Sequence, residues 1–137
     1  MNDIPDFSQF TKEKVLQYNE NGFVFGFTTK KHGDGRKDET LENLQKELKV
    51  NPTSTIRLEQ IHGTNIHIIE KIPEFLAPQK GKKEEKQIKL PDTDGVITKL
   101  PGIFLTVLTG DCVPIIFIDP KNKVAGVSHQ GWKASLE

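Results

Sequence analysis

The chain has 137 residues, with 19 Lys+Arg against 19 Asp+Glu and a formal net charge of zero at pH 7. That balance argues against a nucleic-acid module, which needs a basic surplus, and no run of about 18 apolar residues offers a transmembrane helix. The opening Met1-Asn2-Asp3-Ile4-Pro5-Asp6 has neither the basic nor the apolar region of a secretory signal, and Cys112, with no second cysteine, closes no internal disulfide. The expected setting is a reducing cytoplasm.

Along the chain, Phe7, Phe10, Val15 and Leu16 suggest one face of a short helix before the turn pair Asn21-Gly22. A strand is expected over Phe23–Thr29, then a glycine-rich polar loop, Lys30-Lys31-His32-Gly33-Asp34-Gly35. Leu41, Leu44 and Leu48 recur at helical spacing between Thr40 and Val50, with Asp38 or Thr40 as cap and Asn51-Pro52 as stop. Strand pieces at Ile56–Leu58 and Ile66–Glu70 flank Gln60-Ile61-His62-Gly63, and in the second piece Ile66 and Ile68 face opposite to His67 and Ile69. The stretch from Ile72 to Pro91, with its prolines and mixed charges, reads as an exposed loop outside the chemistry.

Strands resume at Gly95–Thr98 and Ile103–Leu108. The run Val113-Pro114-Ile115-Ile116-Phe117-Ile118 suggests a strand buried on both faces. Asp119-Pro120-Lys121-Asn122 forms a turn before a last strand, Val124–Ser128, and Gly131-Trp132 should open a helix, with Trp132 in a core or interface. One turn into that helix the sequence reaches Glu137, so the chain is expected to be the N-terminal portion of a longer protein.

His62, Cys112 and His129 all fall at expected strand ends, where sheet folds build their sites. Two imidazoles and a thiolate would give zinc three ligands and an open fourth position, the pattern of a catalytic centre. Their ligand atoms should then lie within roughly 4 Å of one another. Singly, each has a plainer explanation. A lone cysteine beside a strand is ordinarily a small hydrophobe, and a histidine before glycine is often a loop residue. His32 reads as a loop residue and His67 as a solvated one.

In combination, Gln60-Ile61-His62-Gly63, Asp94-Gly95-Val96-Ile97-Thr98, Gly110-Asp111-Cys112-Val113-Pro114 and His129-Gln130-Gly131-Trp132-Lys133 resemble the laccase-domain or multicopper polyphenol oxidase family. That family is now described as purine nucleoside phosphorylases and includes the peptidoglycan-editing factors. The resemblance, from about Phe23 onward, implies one domain over residues 1–137, truncated at its C-terminus. The implied fold is α+β, with mixed β-sheets layered with helices (α/β/β/α). It also implies that His62, Cys112 and His129 are both metal-binding and catalytic. Gly110 stands where the family usually has Ala. His129-Gln130-Gly131-Trp132-Lys133-Ala134 replaces His-Ala-Gly-Trp-Arg-Gly, so a bidentate anion contact becomes a point charge.

The function implied by the resemblance is zinc-dependent phosphorolysis of a purine nucleoside, with adenosine deamination and methylthioadenosine cleavage as related activities. Lys133 and Gly131, at the expected helix start, would meet phosphate or substrate. Purine nucleoside and phosphate are the expected partners, with no nucleic acid or membrane, and zinc is expected rather than copper. Four histidines are too few for a multicopper cluster. Two alternatives stay open at this point: a Cys112 nucleophile with His129 as base, acting on amides of cell-wall precursors, and an inactive fragment.

Overall fold

The computed structural model describes residues 16–72 and 86–136. They divide into two compact units, meeting in sequence between Val50 and Asn51.

In the first unit, β1 (Leu16–Glu20) and β2 (Phe23–Phe27) form an antiparallel hairpin in which Glu20 pairs with Phe23. Its two-residue turn is Asn21-Gly22, with φ of 52° and 82°. Both positive angles match the primed turn that fits strand twist, which asparagine and glycine tolerate best. Leu16 therefore belongs to a strand rather than to the helix suggested by the apolar spacing; Phe7, Phe10 and Val15 lie outside the described residues. The strand ends at Phe27 because Thr29 already caps a 3-10 turn, Lys30–His32. The Thr29 backbone N–H donates to His32 Nδ1 at 3.0 Å, leaving Nε2 to face Glu47 Oε2 at 3.2 Å. His32 is thus a structural residue.

Helix α1 spans Asp38–Glu47 and buries Thr40, Leu41 and Gln45, followed by Leu48. Neither Asp38 nor Thr40 caps it: Lys37 holds the cap position with no side-chain bond, and Asp38 and Glu39 sit in the first turn. There their charge opposes the positive end of the helix dipole. The helix closes before Asn51-Pro52. Lys49 has φ of 55°, its N–H donates to Lys46 O, and the Val50 N–H donates to Gln45 O. This is the left-handed closure that satisfies terminal carbonyls.

Among its described residues the second unit contains two sheets. In the three-stranded one, β3 (Ser54–Leu58) lies between β5 (Lys86–Leu90) and β7 (Ile103–Leu105), all parallel. The four-stranded one has the order β4 (Ile66–Ile69), β6 (Gly95–Thr98), β9 (Val124–Gln130), β8 (Val113–Asp119). Only its β4–β6 pair is parallel. Ile56 and Leu58 of the first sheet and Ile69 and Val96 of the second form one core cluster, with Ile88, Leu90, Ile103 and Val127 packed around it. Two sheet layers packed on one core, one parallel and one mixed, together with helix α1 in the first unit give an α+β fold.

Three expectations change here. The loop expected from Ile72 to Pro91 contains β5, whose Ile88 and Leu90 alternate with Gln87 and Lys89 and pack on the core. The mixed-charge run conceals this two-residue period. Residues 73–85 lie outside the described residues.

Strand β8 is not buried on both faces. Among the described residues it pairs only with β9 and sits at the sheet edge, where Val113, Ile115 and Phe117 are exposed while Pro114, Ile116 and Ile118 are partly buried. Opposed residues share a face, so Ile115, Ser128, Gly95 and Ile66 form one row across the sheet. An antiparallel edge with one open face gives this alternation.

Residues 132–136 form a turn rather than a helix, and Trp132 is 73% exposed. Its one i→i+4 backbone bond joins the Ser135 N–H to Gly131 O.

The core makes a measurable contrast. Ile56→Ala should cost about 2–5 kcal/mol in urea unfolding, since Ile56 is fully buried between packed strands. Ile68→Ala, at 65% exposure, should stay within about 0.5 kcal/mol.

Candidate functional site

The site is built where the β3–β4 loop, the segment before β8 and the end of β9 meet. Backbone bonds fix the loop base: the Glu59 N–H donates to Leu90 O and the Thr93 N–H to Glu59 O. The side-chain amide of Gln60 then clasps Leu108. It donates to Leu108 O and accepts from the Leu108 N–H, each at 2.7 Å. This ties the loop bearing His62 to the segment leading to Cys112.

The loop's polar centre is Asp94, 2% exposed and immediately before β6. Its Oδ2 accepts the N–H groups of Ile61 (3.1 Å) and Gly63 (2.9 Å), and Oδ1 accepts that of His62 (3.0 Å). His62 takes φ of 60°. This left-handed geometry is uncommon for a residue with a side chain, and it turns three successive N–H groups toward one carboxylate. The same Oδ1 meets His129 Nδ1 at 2.8 Å, and the His129 N–H donates to the Asp94 backbone carbonyl at 2.7 Å. Burial pushes the Asp94 carboxyl up, but bonds from His129, Gly63, Ile61 and His62 together hold it below the ordinary carboxylate value. An ionised carboxylate only accepts, so Nδ1 of His129 donates to Asp94 and Nε2 is the ring nitrogen left for the centre.

His62, Cys112 and His129 are brought together. One ligand atom from each lies within 4.8 Å of the others, a looser cluster than the expected 4 Å. The imidazoles of His62 and His129 meet edge to face with centroids 4.9 Å apart. His129 is buried, Cys112 half-buried and His62 exposed, so the cluster opens to solvent on one side. A tetrahedral zinc with bonds of about 2.0–2.3 Å would place such atoms roughly 3.4–3.6 Å apart. Side-chain movement on the order of 1 Å therefore suffices, and exposed His62 is free to make it. The soft thiolate and two imidazoles suit zinc.

Gly131 is buried against this cluster. A Cβ there would lie 3.3 Å from His62 Cδ2 and 3.8 Å from Cys112 Sγ. Lys133 is exposed, with Nζ 5.6 Å from the Trp132 ring centroid. His67 is exposed on β4.

Sequence reasoning missed Asp94 and Gln60 as site residues. Asp94 lies in the segment Asp94-Gly95-Val96-Ile97-Thr98, where nothing in the spacing tells a buried acceptor from a turn aspartate.

Residues 26–137 match the family described as multi-copper polyphenol oxidoreductase laccase. The chain belongs to this family. Human "Purine nucleoside phosphorylase LACC1" is 30% identical over 136 residues, an alignment covering 83% of this chain and 28% of the human protein. "Adenosine deaminase RL5", from an unknown prokaryotic organism, is 38% identical over 53 residues, covering 39% of this chain and 20% of that protein. The crystal structure of YlmD from Geobacillus stearothermophilus superposes with a TM-score of 0.55 at 25% identity, covering 75% of this chain and 37% of YlmD. The chain thus spans less than half the length of each. Among the described residues no helix is long and apolar enough to cross a membrane.

Two glycines separate packing from open space. Gly131→Ala should press on His62, shift its ring signals in NMR spectra and cost on the order of 1 kcal/mol in urea unfolding. Gly110→Ala meets nothing within 4 Å and should leave His62 unchanged, with stability equal or up to about 1 kcal/mol higher.

Proposed function

We propose that the protein is a zinc-dependent purine nucleoside phosphorylase in which His62, Cys112 and His129 hold the metal and form the catalytic centre. The convergence of these three ligand atoms within 4.8 Å carries this reading. The relatives' names, purine nucleoside phosphorylase and adenosine deaminase, support the purine substrate class. Because the family match crosses the junction between the two units, we take residues 1–137 as parts of one family domain.

Zinc bound here would supply a Lewis acid that polarises a substrate atom or lowers the pKa of a water. The chain's own residues perform the rest. Asp94 keeps the proton of His129 on Nδ1 and so presents Nε2 to the centre. Exposed His62 borders the open side, where a nucleoside would enter. Lys133 supplies a mobile positive charge for phosphate, and Gly131 keeps the floor beside His62 and Cys112 clear. In phosphorolysis a phosphate oxygen bonds to the ribose anomeric carbon as the bond to the purine nitrogen breaks, and the leaving base takes a proton. Adenosine deamination and methylthioadenosine cleavage belong to the same proposal. A multicopper cluster is set aside because, of the other two histidines, His32 is engaged by Thr29 and Glu47 and His67 is exposed on β4. A cytoplasmic location fits a centre that needs Cys112 reduced.

A second reading is favoured by one observation: Asp94 orients His129 beside Cys112 as the third member of a nucleophilic triad would. Cys112 Sγ would then bond to an amide carbon, for example in a cell-wall precursor, as its C–N bond breaks and the amine leaves with the proton that His129 took from the thiol. Zinc separates the two, since a metal-held thiolate resists alkylation and a free triad thiolate reacts fast.

The test uses Cys112→Ala in the longest natural form of the protein. Loss of a thiol should cost only about 1 kcal/mol in stability, while zinc content and phosphate-dependent release of base from adenosine or inosine are both lost. Retention of zinc and of base release would make Cys112 a packing residue and overturn the proposal. Lost activity with full zinc content would favour the nucleophilic reading.

A further inference from the structure

We infer that Asp94 is the positioning residue of the centre, setting both the ring orientation of His129 and the backbone path that presents His62. The inference rests on the metal reading above, because it concerns how two of the three proposed ligands are aimed.

A buried carboxylate offers about four acceptor directions. Those of Asp94 meet four donors: the N–H groups of Ile61, His62 and Gly63, and Nδ1 of His129. None of the four serves ordinary strand pairing. Three lie in the single loop that carries His62, and the fourth is the ring of a second ligand. The Asp94 backbone also accepts the His129 N–H, so main chain and side chain fix the same histidine. Oδ1 is shared between His62 N–H and His129 Nδ1, at 3.0 and 2.8 Å, which couples the two ligands through one atom.

Asparagine at this position has nearly the same shape but only one acceptor oxygen. Its amide N–H pair would face either the loop N–H groups or the ring. Facing the ring, it would favour the proton on Nε2 and remove the lone pair aimed at the centre. Facing the loop, it would leave buried N–H groups unsatisfied. Outer carboxylates that orient ligating histidines ordinarily change metal affinity by about 10–100-fold when replaced.

The experiment compares wild type, Asp94→Asn and Cys112→Ala by competition for zinc against a chromophoric chelator. Ring-nitrogen NMR of His129 in metal-free wild type at about pH 8 adds a readout that requires no variant. The expected results are a 10–100-fold weaker zinc affinity in Asp94→Asn and a wild-type His129 protonated on Nδ1. Unchanged affinity in Asp94→Asn beside a tight-binding wild type would overturn the inference alone. So would a wild-type His129 protonated on Nε2, even if Asp94→Asn fails to fold. Wild-type zinc affinity no better than that of Cys112→Ala would remove the metal reading and this inference with it.

Discussion

The carboxylate of Asp94 is the contact through which the two sheets' connections acquire a common centre. A buried anion is costly unless its acceptor sites are filled, and here they are filled by groups from the β3–β4 loop and the end of β9. The left-handed backbone at His62 follows from that demand, since it helps three neighbouring N–H groups point the same way. The local cost of the conformation, on the order of 1–3 kcal/mol, is offset by bonds to a charged acceptor, each about 1.5–3 kcal/mol.

Around this centre the fold acts as a frame with distinct inner and outer surfaces. The inner faces of the two sheets share the core of Ile56, Leu58, Ile69 and Val96. The outer face of the four-stranded sheet presents Ile66, Ile68, Ile115 and Phe117 to solvent. The centre lies at the strand ends rather than on either face, so its residues are aimed by connections: Gln60 clasping Leu108, Asp94 gathering the loop, Gly131 leaving room. A rigid scaffold that aims loop residues is a common arrangement for sites.

Much of this was legible in the residues, and the failures have physical causes. The turn at Asn21-Gly22, though not the strand that precedes it, and the helix around Leu41, Leu44 and Leu48 follow from local chemistry, and both are present. The clustering of His62, Cys112 and His129 was legible only from the four motifs in combination, because each of the three residues singly has a plainer explanation. What escaped depends on distant partners. Lys86–Leu90 became a strand because β3 offered it an edge, although its charges resemble a loop. Val113–Ile118 has an apolar run fit for a two-sided core, yet its place at a sheet edge leaves alternate residues open. Asp94 was invisible as a site residue because its role exists only once four donors from 31 to 35 positions away fold onto it.

X-ray absorption on the zinc-loaded protein tests the proposed centre most directly, since sulfur and nitrogen neighbours scatter differently. The account predicts one sulfur at about 2.3 Å and two imidazole nitrogens at about 2.0–2.1 Å around each zinc, with the remaining position taken by a lighter oxygen ligand. A first coordination sphere made only of nitrogen and oxygen, with no sulfur, would contradict it.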